Sequence, residues 1–173
     1  MNVIGLDLSM TASGICYRDG TTATVATKQA DGDRRLNVIR EAVRAAALGA
    51  DLAVLEEAPP GLKGPAIKAI HMVHGAVRSL LCEMAVPYAE VNPKTLKAFA
   101  TGSSGRSDKI PMALAAYKRA SREFADDNQC DAYWLWIAGL WFVGHMPIDM
   151  PKAHCAALNA VHWPPELADR SAA

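Results

Sequence analysis

Three short strand-forming runs follow one another within the first 27 residues, and helical periodicity begins only after them. Asn2 to Leu8 is apolar with valine and isoleucine, and Gly14 to Tyr17 and Thr21 to Thr27 flank an Asp19–Gly20 turn, so the chain opens as a β-meander. Leu36, Ile39, Val43 and Ala47 then recur at helical spacing, and Leu52 to Leu55 forms a compact fourth strand ending at Glu56 and Glu57. A long helix is predicted from about Pro65, with Ile67, Ile70, His74, Val77, Leu81 and Met84 along a heptad-like seam. Pro87 to Val91 supplies a fifth strand. Asn92 caps a short helix that has Pro93 at its first position, Ser107 caps another that reaches about Arg122, and a tryptophan-rich helix runs from the Asp126 to Gln129 stretch to about Gly144. A meander followed by alternating helices and strands predicts an α/β domain, a mixed five-stranded sheet flanked by helices, over residues 1–144. Residues 145–173 lack strong periodicity and are expected as a C-terminal tail, with one helical turn around Ala156 to Val161.

Hydrophobic residues at 51% and charged residues at 21% are a globular composition, and no uncharged apolar run is long enough to span a bilayer. The N-terminus carries no export signal, which gives a cytoplasmic expectation. Cys16, Cys82, Cys130 and Cys155 are scattered without metal-binding or disulfide spacing and read as reduced packing residues. Eighteen basic and eighteen acidic residues cancel, so net charge alone does not point to a polyanionic partner. The distribution matters more, with a nucleic-acid contact and a solvated helical face as its two readings. From Asn92 to Arg122 the chain carries Lys94, Lys97, Arg106, Lys109, Lys118, Arg119 and Arg122 against one acid, Asp108.

The acids are the chemically unusual feature. Asp7 lies inside an apolar strand, where a carboxylate is costly unless it is paired or binds a cation. Glu56 and Glu57 end a second apolar strand, where side chains emerge at the sheet rim that often carries active sites in α/β folds. Asp131 follows Asn128 by three residues and Asp127 by four, so these can share one helical face with Asp126 nearby. Like charges meeting at one rim repel, and divalent Mg²⁺ or Mn²⁺ bound by hard oxygen ligands is the common compensation. The plain structural alternative is that Asp7 ends a turn while Asp127 and Asp131 complement a helix dipole. His71 and His74 sit on the long helix as core or interface residues, and Trp134, Trp136 and Trp141 read as core.

Five segments in order carry a resemblance: Val3 to Gly14, Ala53 to Glu56, the helix Ala66 to Met84, Val91 to Lys109, and Asp127 to Ala132. Over about residues 1–143 the chain resembles RuvC-type Holliday junction resolvases of the ribonuclease H-like superfamily. The resemblance implies a ribonuclease H-like fold, a homodimer through the helix around 66–85, and Mg²⁺-dependent hydrolysis of branched DNA, with Mn²⁺ substituting. It makes Asp7, Glu56 and Asp131 metal-binding acids and Lys109 a basic residue near the scissile phosphate. Asn128 stands where the family has an acid or a histidine. Either its carbonyl or neighbouring Asp127 completes the set, and Glu57 is a weaker alternative to Glu56. Lys63, Lys68, Lys94, Lys97, Arg106 and Lys109 are the expected DNA contacts, and the aromatic wedge usual after the glutamate is missing from Ala58 to Leu62. Other readings stay open: a branched-DNA-binding module without catalysis, or a nuclease of this fold acting on flaps, forks or RNA. A nucleotide-binding protein of the actin and sugar-kinase type begins similarly but needs a second domain for which 173 residues leave little room.

Overall fold

The computed structural model describes residues 1–58, 64–103 and 110–168. Strands β1 (Val3–Asp7), β2 (Ala12–Cys16) and β3 (Thr22–Ala26) form the meander, and β4 (Leu52–Glu56) and β5 (Tyr88–Val91) add to its other side. The sheet order is β3-β2-β1-β4-β5, antiparallel across β1, β2 and β3 and parallel from β1 through β4 to β5. This is the expected mixed five-stranded α/β sheet. The two parallel pairings each require a crossover, which helices α1 (Arg34–Ala47) and α2 (Pro65–Glu83) supply.

The two-residue period of β1 and β4 divides the core. Ile4, Leu6, Ala53 and Leu55 face α1 and α2 and pack with Ile39, Val43, Val77 and Leu81. Val3, Leu52 and Val54 face the other way, towards α3 (Pro93–Thr101), α4 (Ile110–Ala120) and α5 (Asp127–Phe142). Asn92 accepts the Lys94 N–H and Pro93 follows as the first helical residue, so α3 begins as its capping chemistry predicts. Helix α4 ends at Ala120, short of the expected Arg122, where Ser121 turns to φ 51°. The Ser107 cap lies outside the described residues. Part of the α2 seam packs within the chain: Val77 and Leu81 are fully buried and His74 is buried beside Glu90, while Ile67, Ile70 and Met84 are half-buried.

From Ala132 to Leu140 helix α5 is apolar and buried on every side, and it sits centrally over the sheet. Glycines let its backbone approach. A methyl added at Gly5 would lie 2.0 Å from the Ala132 carbonyl oxygen, and one at Gly14 would lie 2.0 Å from that of Asn128.

Residues 145–168 fold back on the domain. They form α6 (Lys152–Cys155), a 3-10 turn (Ala156–Ala160) and α7 (Pro165–Ala168). The helical turn expected near Ala156 is therefore present, but the segment around it is packed. Leu158 is fully buried on the α5 side of the sheet, Leu167 nearly so, and Trp163 stacks on Phe142 with centroids 4.5 Å apart.

Candidate metal centre

Asp7 is the last residue of β1 and pairs across the sheet with Gly14 of β2. On its other side β1 runs parallel to β4 with Leu6 opposite Leu55, so the next step of the register sets Asp7 beside Glu56. Both side chains follow the alternation begun by Val3 and Gly5 on β1 and by Leu52 and Val54 on β4, and both project to the α5 side. The same alternation sends Glu57 to the opposite face, where its carboxylate accepts a hydrogen bond from the Asn92 amide at 2.9 Å. The sheet thus sets Glu56, and not Glu57, on the side of Asp7.

The third acid arrives on α5. Asn128 packs against Gly14 and Ala132 against Gly5, so Asp131, between those two contacts in sequence, is carried to the rim of β1 and β4. The convergence is legible in the titration of Glu56. Burial, then the charges of Asp7 and Asp131, push its carboxyl up from the ordinary value of 4.5 to about 8, and nearby Lys97 opposes them. Cys130 gives a second reading of the same field: burial and the neighbouring Asp131 and Asp127 charges raise its thiol to about 12. It stays a neutral packing group.

One neighbouring acid has other employment. Asp126 caps α5, accepting the Gln129 N–H at 3.0 Å and the Thr24 hydroxyl at 2.5 Å. Burial works to raise its pKa, yet these hydrogen bonds hold the carboxyl below the ordinary range. Asp127, in the first turn of α5, lines a groove between α4 and α5. Among the described residues no three His, Cys, Asp or Glu side chains are drawn close enough to enclose one metal ion. Asp7, Glu56 and Asp131 form a shared acidic rim, and the coordination shell is not closed.

Of the cations expected to meet DNA, Lys97 lies within the field of Glu56, whereas Lys94 and Lys68 are exposed on the first turns of α3 and α2. Lys63, Arg106 and Lys109 fall outside the described residues. Sequence reasoning placed Lys97 among the DNA contacts and did not foresee its place beside the acids; the glycines Gly5 and Gly14, which mark where a helix touches the sheet, were the available signal for the seat of α5.

No protein-family model matches the chain, and no curated protein matches it in sequence. Its fold does match solved structures. The structure of Thermus thermophilus RuvC superposes with a TM-score of 0.68 over 86% of this chain and 100% of that one, at 18% identity. T. thermophilus RuvC in complex with Holliday junction substrate gives 0.69 over 86% and 99%, also at 18% identity. The chain has the ribonuclease H-like RuvC fold, and no helix among the described residues is long and apolar enough to cross a membrane.

Proposed function

We propose that this protein is a structure-selective endodeoxyribonuclease that resolves Holliday junctions or related branched DNA by two-metal-ion phosphodiester hydrolysis. One observation carries the reading: on a RuvC fold, Asp7, Glu56 and Asp131 share a rim where Glu56 is held protonated up to about pH 8 by burial and by the other two charges. Hard oxygen donors that repel one another in this way fit a small divalent cation.

Asp7, Glu56 and Asp131, with Asn128 or Asp127, would hold Mg²⁺, for which Mn²⁺ would substitute. When bound, such ions lower the pKa of water and stabilise charge on the attacking and leaving oxygens of an in-line displacement. The chain's own part is to orient and to balance charge. Glu56 gives up its proton as the site fills, and Lys97, already close to Glu56, can neutralise a non-bridging phosphate oxygen, a role also expected of Lys109. Water oxygen bonds to phosphorus as the bond from phosphorus to the 3′ oxygen breaks, leaving a 5′-phosphate and a 3′-hydroxyl.

Paired cuts across a junction need two such sites, which a homodimer supplies. His74, Val77 and Leu81 of the α2 seam are buried within the chain, so dimerisation through the helix around 66–85 would use its exposed side, with Lys68, His71, Gly75, Arg78, Ser79 and Cys82. Lys63, Lys68, Lys94, Lys97, Arg106 and Lys109 would track the phosphate backbone.

The test is a labelled four-way junction, a fork, a linear duplex and an RNA–DNA hybrid, each incubated with the protein in Mg²⁺, Mn²⁺ or EDTA. Symmetric metal-dependent cuts in the junction are the expected result. Cuts confined to forks or hybrids would reassign the substrate, and binding without cleavage in either metal would make the chain a catalytically silent module.

A further inference from the structure

The register of the sheet places four residues in one row. Gly14 of β2 pairs with Thr24 of β3 on one side and with Asp7 of β1 on the other, and the next step of the β1–β4 register adds Glu56. The N-terminal end of α5 crosses this row from its β3 end. Asp126 meets Thr24, Asn128 lies over Gly14, and Asp131 reaches the field of Glu56.

At the Thr24 end the contact is a closed polar network. The Thr24 hydroxyl donates to Asp126 Oδ2 at 2.5 Å and accepts from Gln129 Nε2 at 3.2 Å. The Gln129 N–H donates to Asp126 Oδ1 at 3.0 Å, and the Thr22 hydroxyl donates to Gln129 Oε1 at 3.0 Å. Capping α5 needs one of these, the bond from the Gln129 N–H. The other three run between half-buried side chains of the helix and the strand, and they tie the first turn of α5 to β3.

Such a tie supplies what apolar packing does not. Beyond Ala132 the helix is apolar all round, and hydrophobic contact is non-directional, so it holds α5 on the sheet without fixing its rotation. Gly5 and Gly14 set how close α5 comes and present no side chain that would stop it turning. Hydrogen bonds have direction. A side-chain tip stands roughly 6 Å from its helix axis, so turning α5 by about 10° would carry the Asp131 carboxylate roughly 1 Å. Metal–ligand distances hold to about 0.2 Å, so a turn of that size would spoil a metal shell.

We propose that Thr24 is a positioning residue of the metal centre: its hydroxyl, with Asp126 and Gln129, fixes the rotation of α5 on the sheet and so sets Asp131 against Asp7 and Glu56. The proposal rests on the nuclease reading above and deepens it, extending the site to the edge strand two strands from Asp7.

The test reads metal binding without DNA. Mn²⁺ is titrated into the full chain and the free ion is followed by its EPR signal, for the native protein, Thr24→Val, Thr24→Ser, Gln129→Met and Asp7→Asn, with circular dichroism showing which are folded. Thr24→Val keeps the shape and removes the hydroxyl, and should weaken Mn²⁺ binding about tenfold, the low end for losing a group that orients a ligand. Thr24→Ser keeps the hydroxyl and should bind within about twofold of native. Gln129→Met breaks the amide limb, leaves the cap, and should weaken binding about threefold or more; it decides the matter if Thr24→Val does not fold. In a junction assay the Mn²⁺ concentration for half-maximal cleavage should rise with the Kd, while the rate at saturating metal stays within about threefold, a split that loss of folded protein does not produce. Native Mn²⁺ affinity in folded Thr24→Val, or in Gln129→Met where Thr24→Val does not fold, would overturn the proposal. So would equal weakening in Thr24→Ser, because packing and not the hydroxyl would then be the cause. A native chain that binds no Mn²⁺, or binds it no better than Asp7→Asn does, defeats the metal-centre reading itself, and this inference with it.

Discussion

Glu56 is the residue on which the electrostatics of the site can be read without DNA. Its carboxyl titrates at about 8 in the folded chain against 4.5 ordinarily, because burial and then Asp7 and Asp131 disfavour its charge. An acid whose folded pKa is raised binds more protons folded than unfolded between those two values. Its contribution to stability is therefore fully present below about pH 4.5 and is lost as the pH climbs through about 8. Thermal melts in EDTA should show the midpoint falling between pH 5 and pH 8, and Glu56→Gln should flatten that slope; an equal slope in the variant would remove Glu56 as its cause. Metal should bind more tightly as pH rises over the same window, with proton release on binding, since the ligand must be deprotonated. Glu57 faces away to Asn92, so Glu57→Gln should cleave within about twofold of wild type in a junction assay while Glu56→Gln loses roughly a thousandfold or more. Asp7 and Glu56 were legible in the sequence because a carboxylate in or at the end of an apolar strand is energetically conspicuous, whereas Asp131 was marked by its helical spacing from Asn128 and Asp127 and by the resemblance. Lys97 was not, since every lysine of a cationic run looks alike until the fold sets one of them beside an acid.

At the scale of elements, the site depends on how closely α5 rests on β1 and β2. Gly14 pairs with Asp7 and lies under Asn128, and no side chain fits between them. Gly14→Ala should cost roughly 3 kcal/mol, the upper range for overpacking, read as a lower urea midpoint at unchanged slope. The same variant should weaken metal binding even where it folds, because it lifts Asp131 away from Asp7 and Glu56. A neutral Gly14→Ala would mean that α5 does not seat as described. The five strands and the α3 cap were readable because each obeys a local rule: period-two patterning, an Asp–Gly turn, an Asn–Pro start. The destination of the α2 seam was not readable, since a heptad-like stripe serves a sheet and a partner helix equally well, and it is the fold that packs Val77 and Leu81 with Ile39 and Val43.

For the molecule as a whole, the C-terminal segment is the largest departure from what periodicity suggests. It has too few turns per helix to show a period, yet Leu158, Leu167 and the stacked Trp163 anchor it to the same core that carries α5. Leu158→Ala should cost roughly 3 kcal/mol by the transfer and cavity cost of a fully buried leucine, again visible in the urea midpoint. An unchanged midpoint would make the segment a dispensable appendage. Net charge is zero, so the proposed binding to DNA would draw on the local cationic run, and affinity for a junction should fall steeply between 50 and 200 mM salt, roughly a thousandfold if six phosphates are contacted. The most direct test of the central claim compares the native chain with Asp7→Asn on one labelled four-way junction in Mg²⁺, following binding and cleavage together. Loss of cleavage with junction affinity kept within about threefold is the predicted result, because the variant removes one acid of the rim and leaves the phosphate contacts in place. An Asp7→Asn protein that still cuts the junction at the native rate would contradict the assignment of the acidic rim as the catalytic centre.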